Sequence, residues 1–223
     1  MILPQHRILP LLAAVLMLAA CYQAEPPGPP AYVPKHHALD LATRAHEMLE
    51  QGERAYALEL LDEAIKADPR FLGAKVDKAM LLADAGEYEE AVGILENVLA
   101  LDQTSDPHLH LVHGIYLEQL GRQSKARHAY QTAINAYEAQ PPDPAKRLRH
   151  MLGLARARYL LEGLPAGLRA INAVLEQYPN NKQARAIKHT MVVGKRSAFL
   201  VIPVGPRPTA DETTETPENR GEE

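Results

Sequence analysis

The chain has 223 residues, of which 46% are hydrophobic, 23% charged and only 5% aromatic, with no tryptophan. That is enough for one domain with appendages, and a composition rich in Ala and Leu favours helix–helix packing over a β-sandwich. A formal charge of −4 lacks the basic excess expected of a nucleic-acid partner, and a single cysteine, Cys21, excludes an internal disulfide.

Residues 1–20 open with the weakly basic pair His6 and Arg7, continue through the apolar stretch Ile8–Met17, and end in Leu18-Ala19-Ala20 before Cys21. An apolar run this short, closing on small residues, reads as a cleaved export signal rather than a membrane span. The tetrapeptide 18–21 resembles the lipobox of bacterial lipoproteins. That resemblance implies cleavage before Cys21, thioether lipidation of its sulfur and further acylation such as palmitate. One acyl chain anchors marginally, whereas several make release slow. By the same resemblance, Tyr22 at the position after the cysteine, in place of an aspartate, directs the chain to the outer membrane, facing the periplasm. The alternative from the residues alone is an ordinary signal peptide with a chance cysteine.

Residues 21–37 form a proline-rich stalk. Five prolines between Tyr22 and Lys35 withhold helix donors and favour extended polyproline II. At about 3.1 Å per residue this gives a spacer of roughly 40 Å.

From residue 38 to 193 the chain is periodic. Ala45, Met48, Gly52, Ala57, Leu61, Ala64 and Pro69 recur 34 residues later as Ala79, Leu82, Gly86, Ala91, Leu95, Val98 and Gln103. After one extra residue they recur again as Gly114, Leu117, Gly121, Ala126, Tyr130, Ala133 and Glu138. A fixed period of this length means a stack of supersecondary units. The small residues Ala45, Ala79 and Gly114 allow two helices to approach. The glycines Gly52, Gly86 and Gly121 end the first helix at positive φ. Ala57, Ala91 and Ala126 share a face of the second helix with Leu61, Leu95 and Tyr130. Pro69 ends the second helix. The predicted pairs are 38–51 with 54–67, 72–84 with 88–101, 108–120 with 123–139, and 145–161 with 166–178. Asp106 or Ser105 is expected to cap the third pair. In the fourth pair the register slips at Gly163. A helix over 181–191, with Ala184, Ile187 and Met191 on one face, caps the stack. The tail 194–223 divides into an apolar stretch, Phe199–Val204, and an acidic end whose composition predicts disorder.

The stretches 51–69 and 85–102 resemble the tetratricopeptide repeat family. The first helices carry Leu41, Lys75 and His110 where that family usually has a large aromatic residue. The resemblance implies an all-α solenoid of about four helix-turn-helix repeats, with ligands held along a concave face lined by the first helices. By the family's pattern that groove carries Leu39, Ala42, His46 and Leu49, then Val76, Met80 and Ala83, then His108, Leu111, Ile115 and Glu118. The subfamily that clamps a C-terminal carboxylate needs Lys, Asn and Arg at several of these places. Ala42, His46, Val76, Met80, Leu111 and Ile115 stand there and exclude such a clamp. An apolar groove predicts an apolar or amphipathic peptide ligand; alternatively the chain fills it itself, with Phe199–Val204 as the filler.

His110 and His113, at i and i+3, share a helix face and could reach one metal ion, but His108 points elsewhere and packing is the simpler role. His36-His37 lies in the stalk. No metal or cofactor is expected. No glycine-rich phosphate loop, HExxH or CxxC occurs, and Asp62, Glu63, Glu89 and Glu90 fall on second helices as solvated charges, so no catalytic residues are assigned. The functional expectation is a lipid-anchored scaffold that binds protein partners in the cell envelope, in the assembly of pilus, secretion or cell-wall machinery. The alternative is an immunity or inhibitor lipoprotein that blocks a toxic effector or envelope enzyme.

Overall fold

The computed structural model describes residues 32–101, 106–139, 144–194 and 196–199. The signal segment, Cys21, most of the stalk and the chain beyond Phe199 lie outside the described residues. The chain divides into two units, 1–33 and 34–223. The second holds nine α-helices among the described residues: α1 His36–Glu50, α2 Arg54–Ala67, α3 Leu72–Asp84, α4 Tyr88–Leu101, α5 Pro107–Gln119, α6 Gln123–Ala139, α7 Arg147–Glu162, α8 Leu164–Gln177 and α9 Lys182–Val193. Short 3₁₀ turns, Pro144–Lys146 and Arg196–Phe199, precede α7 and follow α9. The described residues contain no strand, and none of their helices is long and apolar enough to cross a membrane.

Successive helices pair as α1/α2, α3/α4, α5/α6 and α7/α8, with each pair packed on the next and α9 closing the row. The expected solenoid is therefore what the chain forms. One backbone device ends three of the four first helices. Gly86 sits at φ +86°, its N–H donates to the Ala83 carbonyl at 3.0 Å, and the next N–H, of Glu87, reaches back to Leu82 at 2.9 Å. Gly52 and Gly121 repeat the pattern with Glu53 on Met48 and Arg122 on Leu117. Two orphan carbonyls are satisfied each time, and the left-handed residue turns the chain into the second helix.

The fourth pair is joined differently. Gly163, at φ +91°, is both the end of α7 and the cap of α8, a one-residue connection. Pro165 then occupies the first turn of α8, where its missing N–H costs nothing. This moves the start of α8 two residues ahead of the predicted Ala166. Similarly, α1 starts at His36, within the predicted stalk, because the Lys35 amide donates to Asp68 Oδ2 at 3.0 Å and its ammonium to the Ala67 carbonyl at 2.9 Å. These contacts pin the chain entry to the end of α2.

The repeating small residues are all interior: Ala45, Ala57, Ala64, Ala79, Ala91, Ala126 and Ala133 are fully buried. Pro69 is exposed in the turn after α2. Two apolar clusters result. One joins α1, α2 and the near side of α3 through Ala74 and Leu81, and the other runs from Ala79 to Phe199. Leu58 packs against both.

In the later repeats, glycine faces tyrosine where helices meet. A Cβ on Gly114 would stand 2.6 Å from the Tyr130 ring, and one on Gly167 2.7 Å from Tyr159 Cβ. A Cβ on Gly153 would collide with the Tyr137 phenol. Gly86, by contrast, has open space around it. Gly86→Ala should therefore cost only backbone strain, about 1–2 kcal/mol, whereas Gly114→Val must displace a buried ring and should cost about 3 kcal/mol. Urea unfolding midpoints of the two variants check the order, and equal or reversed losses contradict the packing described.

Candidate functional site

The first helices, expected to line a groove, pack against their own partner helix and, from α3 onward, against the preceding pair, with α5 also touching α7. In α3, α5 and α7 most residues are covered, whereas much of α1 stays exposed. Accordingly Ala42, Ala83, Leu111 and Ile115 are buried in the core rather than presented to a ligand. Leu39 is exposed, and His46, Leu49, Val76, Met80 and His108 are partly so. His46 is held in place: its Nδ1–H donates to the Ala42 carbonyl at 2.7 Å and its Nε2 stands 3.5 Å from Asp77.

Glu118 is the residue of the expected groove with the most specific surroundings. Its side chain is only 7% exposed, near the end of α5. Tyr130 Oη of α6 donates to Oε2 at 2.7 Å. Arg196, in the turn after α9, donates from Nε to Oε1 at 2.7 Å and from Nη2 to Oε2 at 2.9 Å. The same Nη2 donates to the Leu160 carbonyl at 2.8 Å, an acceptor in the last turn of α7. Three residues on, Phe199 is buried with its ring 4.8 Å from that of Tyr159. Residues 196–199 thus lie across the C-terminal ends of α5 and α7. Phe199 begins the segment expected as a filler; Arg196, which carries the polar half of the contact, has no local sequence signal beyond its place two residues after the helix-ending Gly194, at φ +74°.

Electrostatics follow from this geometry. Burial alone would raise the Glu118 carboxyl, but the hydrogen bonds from Arg196 and Tyr130 outweigh it and hold the group below the usual carboxylate range. The same bond to Glu118 raises the Arg196 guanidinium. Burial and Glu118 together keep the Tyr130 hydroxyl protonated. Nearer the start of α5, burial and Arg149 push His108 down to about 4, so its imidazole is neutral at pH 7. Burial also lowers the guanidinium of Arg156, beside Tyr137 and Tyr130, and no carboxylate pairs with it among the described residues.

On another side, Glu96, His110, His113, Lys125 and His128 line an open cleft of about 560 Å³ between α4, α5 and α6. His113 is lowered by burial, and its Nε2 lies 3.7 Å from Glu96. Among the described residues no three His, Cys, Asp or Glu side chains are grouped as a metal site. The acids expected to be solvated on second helices are partly engaged: Lys78 bridges Asp62 at 2.8 Å and Glu90 at 3.6 Å, and Arg122 holds Glu89. Pairs this exposed contribute little to stability.

Residues 48–114 match the family model of the tetratricopeptide repeat. Over these residues the chain carries the tetratricopeptide repeat pattern. No curated protein sequence matches it. Among solved structures, the repeat chain is similar to MamA 41-end from Desulfovibrio magneticus RS-1, at 19% identity over 81% of this chain and 93% of that one, with a TM-score of 0.49. It is also similar to a tetratricopeptide repeat protein from Parabacteroides merdae ATCC 43184, at 16% identity over 71% and 61%, with a TM-score of 0.48. BtubC from P. vanneervenii aligns at 16% identity over 88% and 77%, with a TM-score of 0.49. A tetratricopeptide repeat fold suggests a scaffold for protein–protein interaction.

Because the folded-state carboxyl of Glu118 lies below its ordinary value of 4.5, its contribution is complete above that value and is lost as pH falls through the lower one. Glu118→Gln should therefore destabilise the protein at pH 7 by about 1–3 kcal/mol and have progressively less effect as the pH falls below 4.5. Thermal melts of both proteins between pH 7 and 3 test this; a loss independent of pH contradicts the assigned charge pairing.

Proposed function

We propose that the protein is a lipid-anchored periplasmic scaffold, fixed to the outer membrane through Cys21, that holds a segment of a protein partner against the first-helix face of its repeats. The observation that carries the binding half is the seating of residues 196–199 across α5 and α7, through one partly buried ion pair and one aromatic contact. A face that takes a four-residue segment of its own chain has the depth and polarity to take a short segment of another. The anchoring half is supported by the sequence Leu18-Ala19-Ala20-Cys21 and the proline-rich stretch after it. In this reading the anchor fixes location, the stalk sets reach and the repeats select the partner, within an assembly of the cell envelope.

Two measurements test the halves separately. Cys21→Ser should move the protein from the membrane pellet to the soluble periplasmic fraction; retention in the pellet contradicts lipid anchoring. In-cell crosslinking of the full chain should recover subunits of an envelope assembly, at contacts mapping to α1, α3, α5 and α7. Crosslinks confined to the second helices contradict the first-helix face as the binding surface.

A further inference from the structure

Glu118 and Arg196 are unequal partners. The carboxylate is built into the repeats: with Arg196 seated it is 7% exposed, and it takes a hydrogen bond from Tyr130, itself fully buried. The guanidinium is brought to it on a short turn beyond the capping helix and remains 42% exposed. If Arg196 left, the carboxylate would stay behind with Tyr130 as its neutral donor, and the Leu160 carbonyl would lose its Arg196 donor. A carboxylate stripped of its charged donor keeps only the weaker neutral one, so the emptied site favours a cationic replacement. The replacement is further specified. A guanidinium spans both carboxylate oxygens and the Leu160 carbonyl from a single planar fork, which a lysine ammonium cannot do. The Tyr159 ring then offers an aromatic face to a side chain three residues further on, where Phe199 now packs.

We infer that Glu118, Tyr130, the Leu160 carbonyl and Tyr159 form a receptor for a peptide segment carrying an arginine followed three residues later by an aromatic side chain, and that residues 196–199 are an internal occupant which such a partner segment displaces. The inference rests on the reading of the first-helix face as the binding surface and names the chemistry of its ligand. Release is local: Arg196 follows the left-handed Gly194 by two residues, so rotation there frees the turn without unfolding α9. Because the internal segment is tethered, its effective concentration is high, on the order of millimolar. A peptide of the same sequence should therefore bind the intact chain poorly and an opened chain well.

The test uses the full chain and a fluorescein-labelled peptide with capped ends, Gly-Lys-Arg-Ser-Ala-Phe-Leu-Val, followed by fluorescence anisotropy. Arg196→Ala should bind the peptide at least ten-fold more tightly than the wild type. Adding Glu118→Gln to that variant should abolish the gain, and a peptide with alanine in place of its arginine and phenylalanine should not bind. Equal affinity of wild type and Arg196→Ala overturns the inference, as does no binding to a variant that circular dichroism shows to be folded. If Arg196→Ala does not fold, Phe199→Ala opens the other half of the contact and takes its place. Unfolding of both also overturns the inference, because the segment is then part of the fold rather than an occupant. Crosslinking in the envelope separates this result from the broader reading. A partner captured equally by wild type and Arg196→Ala, and not competed by the peptide, leaves the scaffold standing and removes the displaced segment. Peptide binding with no envelope partner does the reverse.

Discussion

The approach of α5 to α6 depends on a missing methyl group. Gly114 leaves room for the ring of Tyr130, which could not lie there over any larger residue. That ring does two things. Its face fills the space between the two helices of the third repeat, and its hydroxyl reaches Glu118, one turn further along α5. The same contact that sets the helix spacing therefore positions the carboxylate, and the carboxylate positions Arg196. Tyr159, over Gly167, plays a comparable part for Phe199. In the C-terminal half, polar site and packing are one arrangement of glycines and tyrosines, not a site added to a finished scaffold.

A stacked-repeat protein owes its stability to each unit and its nearest neighbour. The helix packing follows this rule, with each pair in contact with the next. The Arg196–Glu118 pair departs from it. It joins residues 78 apart and ties the turn after the capping helix to the third repeat, while the same guanidinium also holds Leu160 of the fourth. Among the described residues no charge pair of that reach is seen for the first repeat. Its apolar cluster meets the larger one at Leu58, and Lys35 secures only its entry to Asp68. The two ends of the array are therefore unequal, the C-terminal end being closed by a charge pair and the N-terminal end by local hydrogen bonds.

Much of the fold was legible in the sequence because its signals are local. Gly52, Gly86 and Gly121 mark helix ends that any chain with those residues must turn at, and the bounds of α2, α3, α4 and α6 follow the predicted ones. Where two local signals compete, the reading slipped: at Gly163-Leu164-Pro165 the chain uses one glycine for two helices. The groove was less legible. Family pattern locates the first helices but not how deeply neighbours cover them, so Leu111 and Ile115, expected at a surface, are interior. Glu118 was recognisable by position, yet its partner Arg196 is far along the chain, and no periodicity links them. The glycine–tyrosine contacts at Gly153 and Gly167 were hidden for a related reason, since they fall where the repeat register shifts.

The central claim is that one charge pair couples the end of the chain to the third repeat. Hydrogen exchange of backbone amides, followed by mass spectrometry in the wild type and Arg196→Ala, tests it most directly. The account predicts faster exchange in the last turns of α5 and α7 and in α9 of the variant, with α1 to α3 unchanged. Unchanged exchange at the ends of α5 and α7, or a uniform increase over all repeats, would contradict it.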